Sequence, residues 1–397
     1  MIRVPLEELK IRIDRIKQMM EKRKLDGLYI TNTTTFKYLL DYYYIQTERP
    51  AAILIDKNAD IFFLGPMLEK DHVLIQTPLV KESYGYPDYP GEKHPLKYFS
   101  EWINRILKGK RLGTDNMSLY PEYMGFRGIS INTILPGFEL IDLHRELYDM
   151  RKIKSPVEQD LLRESAKWGN LAHRLLQKYT EPGKYDFEIG ARAATETGII
   201  LMETFGLDFK PPINYPLEIE AGFRGQVGEH SYYPHSLSIN RKLKIGDILG
   251  SGAAGNLDSY HIEIERNMFL GEPDDRTAKF HRLAVEMQQT AFQELKVGKK
   301  FSDIDKAVIR FAKKNDVLKY RMHHTGHSIG LDGHESPFFD VGDNSIIEDG
   351  MVFTLEPGIY VPKLGGFRHS DTVIMHEGGP EMITYYPNDT EALTVIP

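Results

Sequence analysis

Residues 260–266 read Tyr-His-Ile-Glu-Ile-Glu-Arg, an alternation of side chains that an extended strand sorts onto two faces. On that reading His261, Glu263 and Glu265 share one face, with Ile262 and Ile264 on the other. Such a strand either lies half in water, as antiparallel edge strands do, or walls a polar site. The rest of the C-terminal half favours a site. His235, His323, His327, His334 and Glu356 each stand in a short segment punctuated by Gly or Pro.

The 397 residues exceed what one core usually organises, so two domains are expected. Leu6, Leu9, Ile13, Ile16, Met20 and Leu25 mark one face of a helix over 6–25, stopped by Asp26-Gly27. A strand begins at Leu28. Residues 51–55 and 61–64 flank a turn and read as a hairpin. A helix over 96–107 and a strand over 138–141 follow, giving a mixed α/β domain. Ser155, Pro156 and Glu158 then supply an N-cap, a proline at the first helical position and a capping box. This helix runs to about Lys178, and further helices are predicted over 186–202, 274–295 and 302–314 before a strand-rich end. The expected fold class is therefore α/β (α+β), divided into domains 1–150 and 151–397.

Composition narrows the function. The chain has no cysteine, which excludes disulfides, thiolate ligands and a thiol nucleophile. A net charge of −7 argues against a nucleic-acid partner. No run of roughly 18 apolar residues is present, so no membrane partner and a cytoplasmic location are expected.

Five ordered segments resemble the creatinase, prolidase and aminopeptidase P family, which has the pita-bread fold. They are the junction 151–156, Pro234-His235 with Asp247 twelve residues on, the histidine-rich stretch 323–335, Glu356-Pro357-Gly358-Ile359-Tyr360, and Gly366-Phe367-Arg368-His369-Ser370-Asp371. The resemblance implies a creatinase-like N-terminal domain, a pita-bread catalytic domain, a homodimer, and hydrolysis of a C–N bond in a small amino-acid-like or short-peptide substrate. The peptidases of that family hold two divalent ions with two aspartates, a histidine and two glutamates. Setting Glu263 on the second aspartate puts the first at Gly252, and the last glutamate falls on Ser370. His327 and Glu356 match.

The two-ion set is thus incomplete, and the favoured expectation is a metal-free, creatinase-like site. There the resemblance makes His235 the acid/base, a role suited to an imidazole near neutral pH, with Glu265 and Glu356 gripping a cationic substrate group. The alternative is a metal-dependent Xaa-Pro dipeptidase or aminopeptidase with one ion (Mn, Co, Zn or Fe) on Glu263, His327 and Glu356. A non-catalytic pita-bread binding module is a third reading. Glu263, His323, His334, Arg368 and Arg49 are candidate substrate-binding residues, with Arg368 expected to orient Asp371 or a carboxylate, or equally to form a buried salt bridge, and Arg49 as a carboxylate clamp. Carboxylates 5 Å apart repel by roughly 3 kcal/mol at an effective dielectric near 20. Glu263, Glu265 and Glu356 in one pocket therefore demand a positive partner, expected to be a metal ion or a substrate cation.

Overall fold

A mixed six-stranded sheet organises the first unit of the chain, Val4–Arg151. The computed structural model describes residues 3–117, 130–208 and 218–396. In chain order the strands are β1 (Gly27–Ile30), β2 (Ala52–Asp56), β3 (Ile61–Pro66), β4 (Val80–Tyr86), β5 (Arg111–Thr114) and β6 (Glu139–Asp142), arranged β4-β3-β2-β1-β5-β6. The β2–β3 hairpin is antiparallel, as the turn between the apolar runs requires, whereas β1, β5 and β6 run parallel. The first helix, Leu6–Arg23, ends earlier than the apolar pattern suggests. Lys24 takes a left-handed conformation (φ 54°) and Leu25 N donates to Met20 O, closing the helix before Asp26-Gly27 is reached. Tyr29, Leu54, Leu64, Phe99 and Leu112 form the core of this unit.

The second unit is Lys152–Pro397 together with Arg3. Its first helix, Pro156–Tyr179, starts at the expected capping box: Ser155 Oγ accepts from Glu158 N, and Glu158 Oε2 accepts from Ser155 N at 2.9 Å. This helix and Asp186–Phe205 cover a sheet of β7 (Ile219–Gly222), β8 (Ile248–Gly255) and β9 (Ile264–Leu270), ordered β7-β8-β9 and extended by β17 (Thr394–Val395). A second sheet has the order β11-β10-β12-β15-β16, from β10 (His327–Ser328), β11 (Glu335–Phe338), β12 (Val352–Leu355), β15 (Asp371–His376) and β16 (Gly379–Met382). Helices Asp275–Glu294 and Phe301–Lys314 pack on it through Met287, Phe301, Ile304 and Val308 against Phe339, Phe353 and Leu355. Each such side chain contributes roughly 1.5–3 kcal/mol by leaving water. The hairpin β13 (Gly358–Val361) and β14 (Gly365–Arg368) lies between β12 and β15 in sequence and supplies one more site residue. This helix-covered arrangement agrees with the pita-bread domain that the resemblance implies.

The 260–266 segment is only partly a strand. β9 begins at Ile264, because the preceding amides are spent elsewhere: His261 N donates to Gly330 O and Glu263 N to Thr372 Oγ1. The alternation of faces nevertheless survives, with Ile262 and Ile264 buried and His261 and Glu263 half-exposed. None of the helices among the described residues is long and apolar enough to cross a membrane.

Candidate active site

Glu265 is the best-anchored carboxylate of the site. Its backbone exchanges two hydrogen bonds with Ser370 (3.0 and 3.1 Å), which registers the start of β9 against the chain just beyond β14. That register brings Arg368 onto the Glu265 side chain. The guanidinium takes both carboxylate oxygens, Nε on Oε2 and Nη2 on Oε1 at 2.7 Å, in the two-point geometry that suits Arg to carboxylates. Arg224, reaching in from the turn after β7, pairs with the same Oε1. Glu265 is therefore not a free grip for a substrate cation. Arg368 does not orient Asp371 either: Asp371 pairs with Arg266 at 2.8 Å and accepts from Thr384 and Gln288.

Glu263, Glu265 and Glu356 do converge, with one oxygen of each within 4.8 Å of the others. Glu356 follows β12, where its amide donates to Thr325 O at 2.8 Å. Burial alone would raise its pKa, but His327, Arg368 and His323 outweigh that and hold it well below the usual carboxylate range. His327 projects from β10. Its Nδ1 donates to Ser328 O at 2.9 Å, which turns Nε2 toward Glu356 Oε1, 3.2 Å away. Burial opposes the charged ring, yet Glu356 and Glu263 together raise the His327 pKa above its ordinary value. Glu263 Oε1 is buried and has no hydrogen-bond partner.

His334 stacks on His327, ring centroids 3.8 Å apart and the planes nearly parallel at 19°. Burial and the neighbouring His327 lower its pKa, and His235 adds to that lowering. His235 itself is exposed, in the loop after the short helical turn Gly228–Tyr232. His323 is bonded to Tyr360 OH (2.8 Å) and to His324 O, and burial pushes its pKa down to about 4. Arg49 belongs to the N-terminal unit, where it pairs with Glu48 and Asp88. His369 turns away from the carboxylates, its Nε2 2.9 Å from His281 Nε2.

A cavity of about 650 Å³ opens over this cluster. Its polar wall includes Arg224, Glu263, Glu265 and His334, and its apolar wall runs along Ile329, Ile219 and the helix Asp186–Phe205. The positive partner that three carboxylates demand is in large part internal: two guanidinium groups, not only an incoming cation. Arg224 was not legible as a site residue; the sole signal was the charge deficit itself, which gave no address.

The residues present do not fit a two-ion centre. Gly252 offers no donor, Ser370 offers only a hydroxyl, which is buried without a partner, and Glu265 is saturated by two arginines. Glu263, His327 and Glu356 are the donors left for one ion.

The fold and this histidine–carboxylate cluster define a two-domain pita-bread protein. Its residues 12–153 match the creatinase/prolidase N-terminal domain, and residues 160–377 match metallopeptidase family M24. The chain belongs to family M24, and it is a hydrolase homologous to Xaa-Pro dipeptidases. It is 26% identical over 382 residues to the Xaa-Pro dipeptidase of Pyrococcus furiosus, covering 95% of this chain and 98% of that protein. It is 24% identical over 377 residues to an uncharacterized peptidase of Staphylococcus aureus, covering 94% and 99%. In structure it is similar to a prolidase of Thermococcus sibiricus, with a TM-score of 0.81 at 23% identity, covering 98% of this chain and 99% of that one.

Proposed function

We propose that the protein hydrolyses a C–N bond of a small amino-acid-like or peptide-like substrate without a two-ion centre, and that His235 moves the proton. The observation that carries this reading is His334 stacked on His327 at 3.8 Å, with Glu356 3.2 Å beyond His327 and the charge of exposed His235 felt at His334. Breaking a C–N bond needs a base for water and an acid for the leaving nitrogen, and imidazole serves both near neutral pH. Glu356 raises the pKa of His327, and burial together with His327 lowers that of His334. Glu263, with one oxygen unpartnered, is the carboxylate open to a cationic substrate group; Glu265, held by arginines, fixes the pocket wall. The homodimer is part of the same proposal and is checked by light scattering.

A second reading keeps one divalent ion on Glu263, His327 and Glu356. It is favoured by the unpartnered Glu263 oxygen and by the His327 tautomer, which points Nε2 at Glu356. Bound there, an ion would polarise a carbonyl or activate water.

The deciding experiment assays purified protein on Xaa-Pro dipeptides and guanidino acids before and after chelation, with elemental analysis. Chelator-resistant turnover that falls 10²–10⁴-fold in His235→Ala is expected. Stoichiometric metal with chelator-sensitive Xaa-Pro cleavage would favour the second reading, and full activity in His235→Ala would remove His235 from the mechanism. No turnover on any substrate would leave the binding-module reading.

A further inference from the structure

Arg224 stands where two unrelated features of the site meet. The first is Glu265, whose Oε1 it shares with Arg368. The second is Gly252, opposite Glu265 in the β8–β9 ladder. A Cβ added at Gly252 would lie 3.7 Å from Arg224 Nε, 3.8 Å from Arg224 Cζ and 3.7 Å from Glu265 Cγ. These are ordinary contact distances, so a side chain at 252 would fit and would meet the guanidinium head-on. A donor-bearing residue at 252 and Glu265 would together enclose the space that the guanidinium fills.

The backbone under Arg224 is also unusual. Arg224 (φ 49°) and Gly225 (φ 71°) are the central pair of a tight turn closed by Gln226 N on Phe223 O at 2.7 Å. Both angles are left-handed, and such turns favour Gly, Asn or Asp at these positions. An arginine there is held against its local preference by what its side chain reaches.

We propose that Arg224 is a resident counter-ion, its guanidinium standing where Glu265 and a ligand-bearing residue at 252 would otherwise share a divalent ion, and that it closes that position to metal. The proposal rests on the reading of a site without paired ions. In charge terms, the two guanidinium groups of Arg224 and Arg368 already stand against the three carboxylates. A divalent ion entering at 252/265 beside the Arg224 guanidinium would be repelled by it.

The test titrates the full chain, stripped by a chelator, with Mn²⁺ in a calorimeter. Gly252→Asp restores a carboxylate but leaves the guanidinium, and should bind Mn²⁺ within about threefold of the parent protein. Arg224→Gly/Gly252→Asp should bind at least tenfold more tightly than Gly252→Asp, or take up one additional ion. Arg224→Lys/Gly252→Asp, which keeps the positive charge, should fall back to the Gly252→Asp value. Equal binding by Gly252→Asp with and without Arg224, or tight binding by the lysine variant, overturns the proposal. Glycine suits the left-handed turn, so Arg224→Gly alone should fold. If the double variant does not fold, Arg224→Gly must itself bind Mn²⁺ more tightly than the parent, and no change sinks the idea. Activity is not read in this experiment. Failure here leaves the role of His235 standing, and an inactive-site result for His235 leaves Arg224 standing.

Discussion

Lys154 Nζ lies 2.9 Å from Glu335 Oε2, with both side chains almost wholly withdrawn from water (1% and 2% exposed). The pair ties the segment before the first catalytic-domain helix to the residue after His334. Gly330 permits the approach: a Cβ there would sit 2.9 Å from Lys154 Cε and 3.0 Å from Glu335 Oε2. Removing one partner of a buried pair leaves a charge stranded, at a cost of about 3–5 kcal/mol. Lys154→Met is therefore expected to lower the urea midpoint sharply, while Lys154→Met/Glu335→Leu recovers much of the loss. If the double variant is no better than the single one, the pair is not the source of the penalty.

Arg368 and Glu265 give a second cycle. Arg368→Lys keeps the charge but loses the two-point fork, and Arg368→Ala leaves Glu265 to Arg224 alone. Equilibrium unfolding should show a larger loss for Ala than for Lys. Because Arg224 remains as a partner, the Ala loss should fall toward the lower end of the 3–5 kcal/mol range for broken buried pairs, about 3 kcal/mol. Arg224→Gly/Arg368→Ala should then lose more than the two single changes added together, since only the double variant leaves Glu265 bare. Simple additivity would show that the arginines act independently.

The helix cap yields a smaller effect with a clear order. Ser155→Ala removes one capping bond and is expected to cost about 1 kcal/mol. Glu158→Ala should cost more, because Glu158 Oε1 also accepts from Tyr260 OH at 3.0 Å, inside the domain. Urea denaturation of the two variants decides it, and equal losses would mean that the Tyr260 bond contributes nothing.

The same cap explains what could be read in advance. Ser155, Pro156 and Glu158 act within one turn, so their spacing is visible in a linear sequence, as is the apolar face of the helix that follows. The β2–β3 hairpin is local for the same reason. The segment 260–266 departs from an unbroken strand where its partners are remote: Thr372 and Gly330 take the amides of Glu263 and His261, and nothing nearby announces them. Convergence of Glu263, Glu265 and Glu356 was legible through resemblance and charge. Arg368 was legible as a residue set to meet a carboxylate, though not which one; Arg224 was not, since it reaches Glu265 only through the β7–β8–β9 ladder.

Behind the site lie His173 and His281, two imidazoles that face Arg266 and are sealed from solvent. His173 Nε2 donates to Ser251 Oγ (2.8 Å), whose own hydrogen goes to Arg266 O, and the ring packs on Tyr386; His281 contacts Thr390 Oγ1 (2.9 Å) and His369. Burial, with Arg266 adding to it, lowers His173 to about 3; burial and Arg266 lower His281 to about 4, although Asp389 pulls the other way. Both native values lie below the ordinary histidine value of about 6.5, so the unfolded chain takes up protons first as pH falls. Stability from these rings is complete above about pH 6.5 and drains away below it, down to the native values, at about 1.4 kcal/mol per pH unit per ring. Near pH 5 the two together should have cost roughly 4 kcal/mol. Thermal unfolding followed from pH 7.5 to 4.5 should show the drop, to which the buried and likewise depressed His323 and His369 add, and His281→Gln, which cannot titrate, should lessen it by roughly 2 kcal/mol at pH 5. A stability profile that stays level to pH 5, or a His281→Gln slope identical to the parent, would mean these rings are protonated in the folded protein.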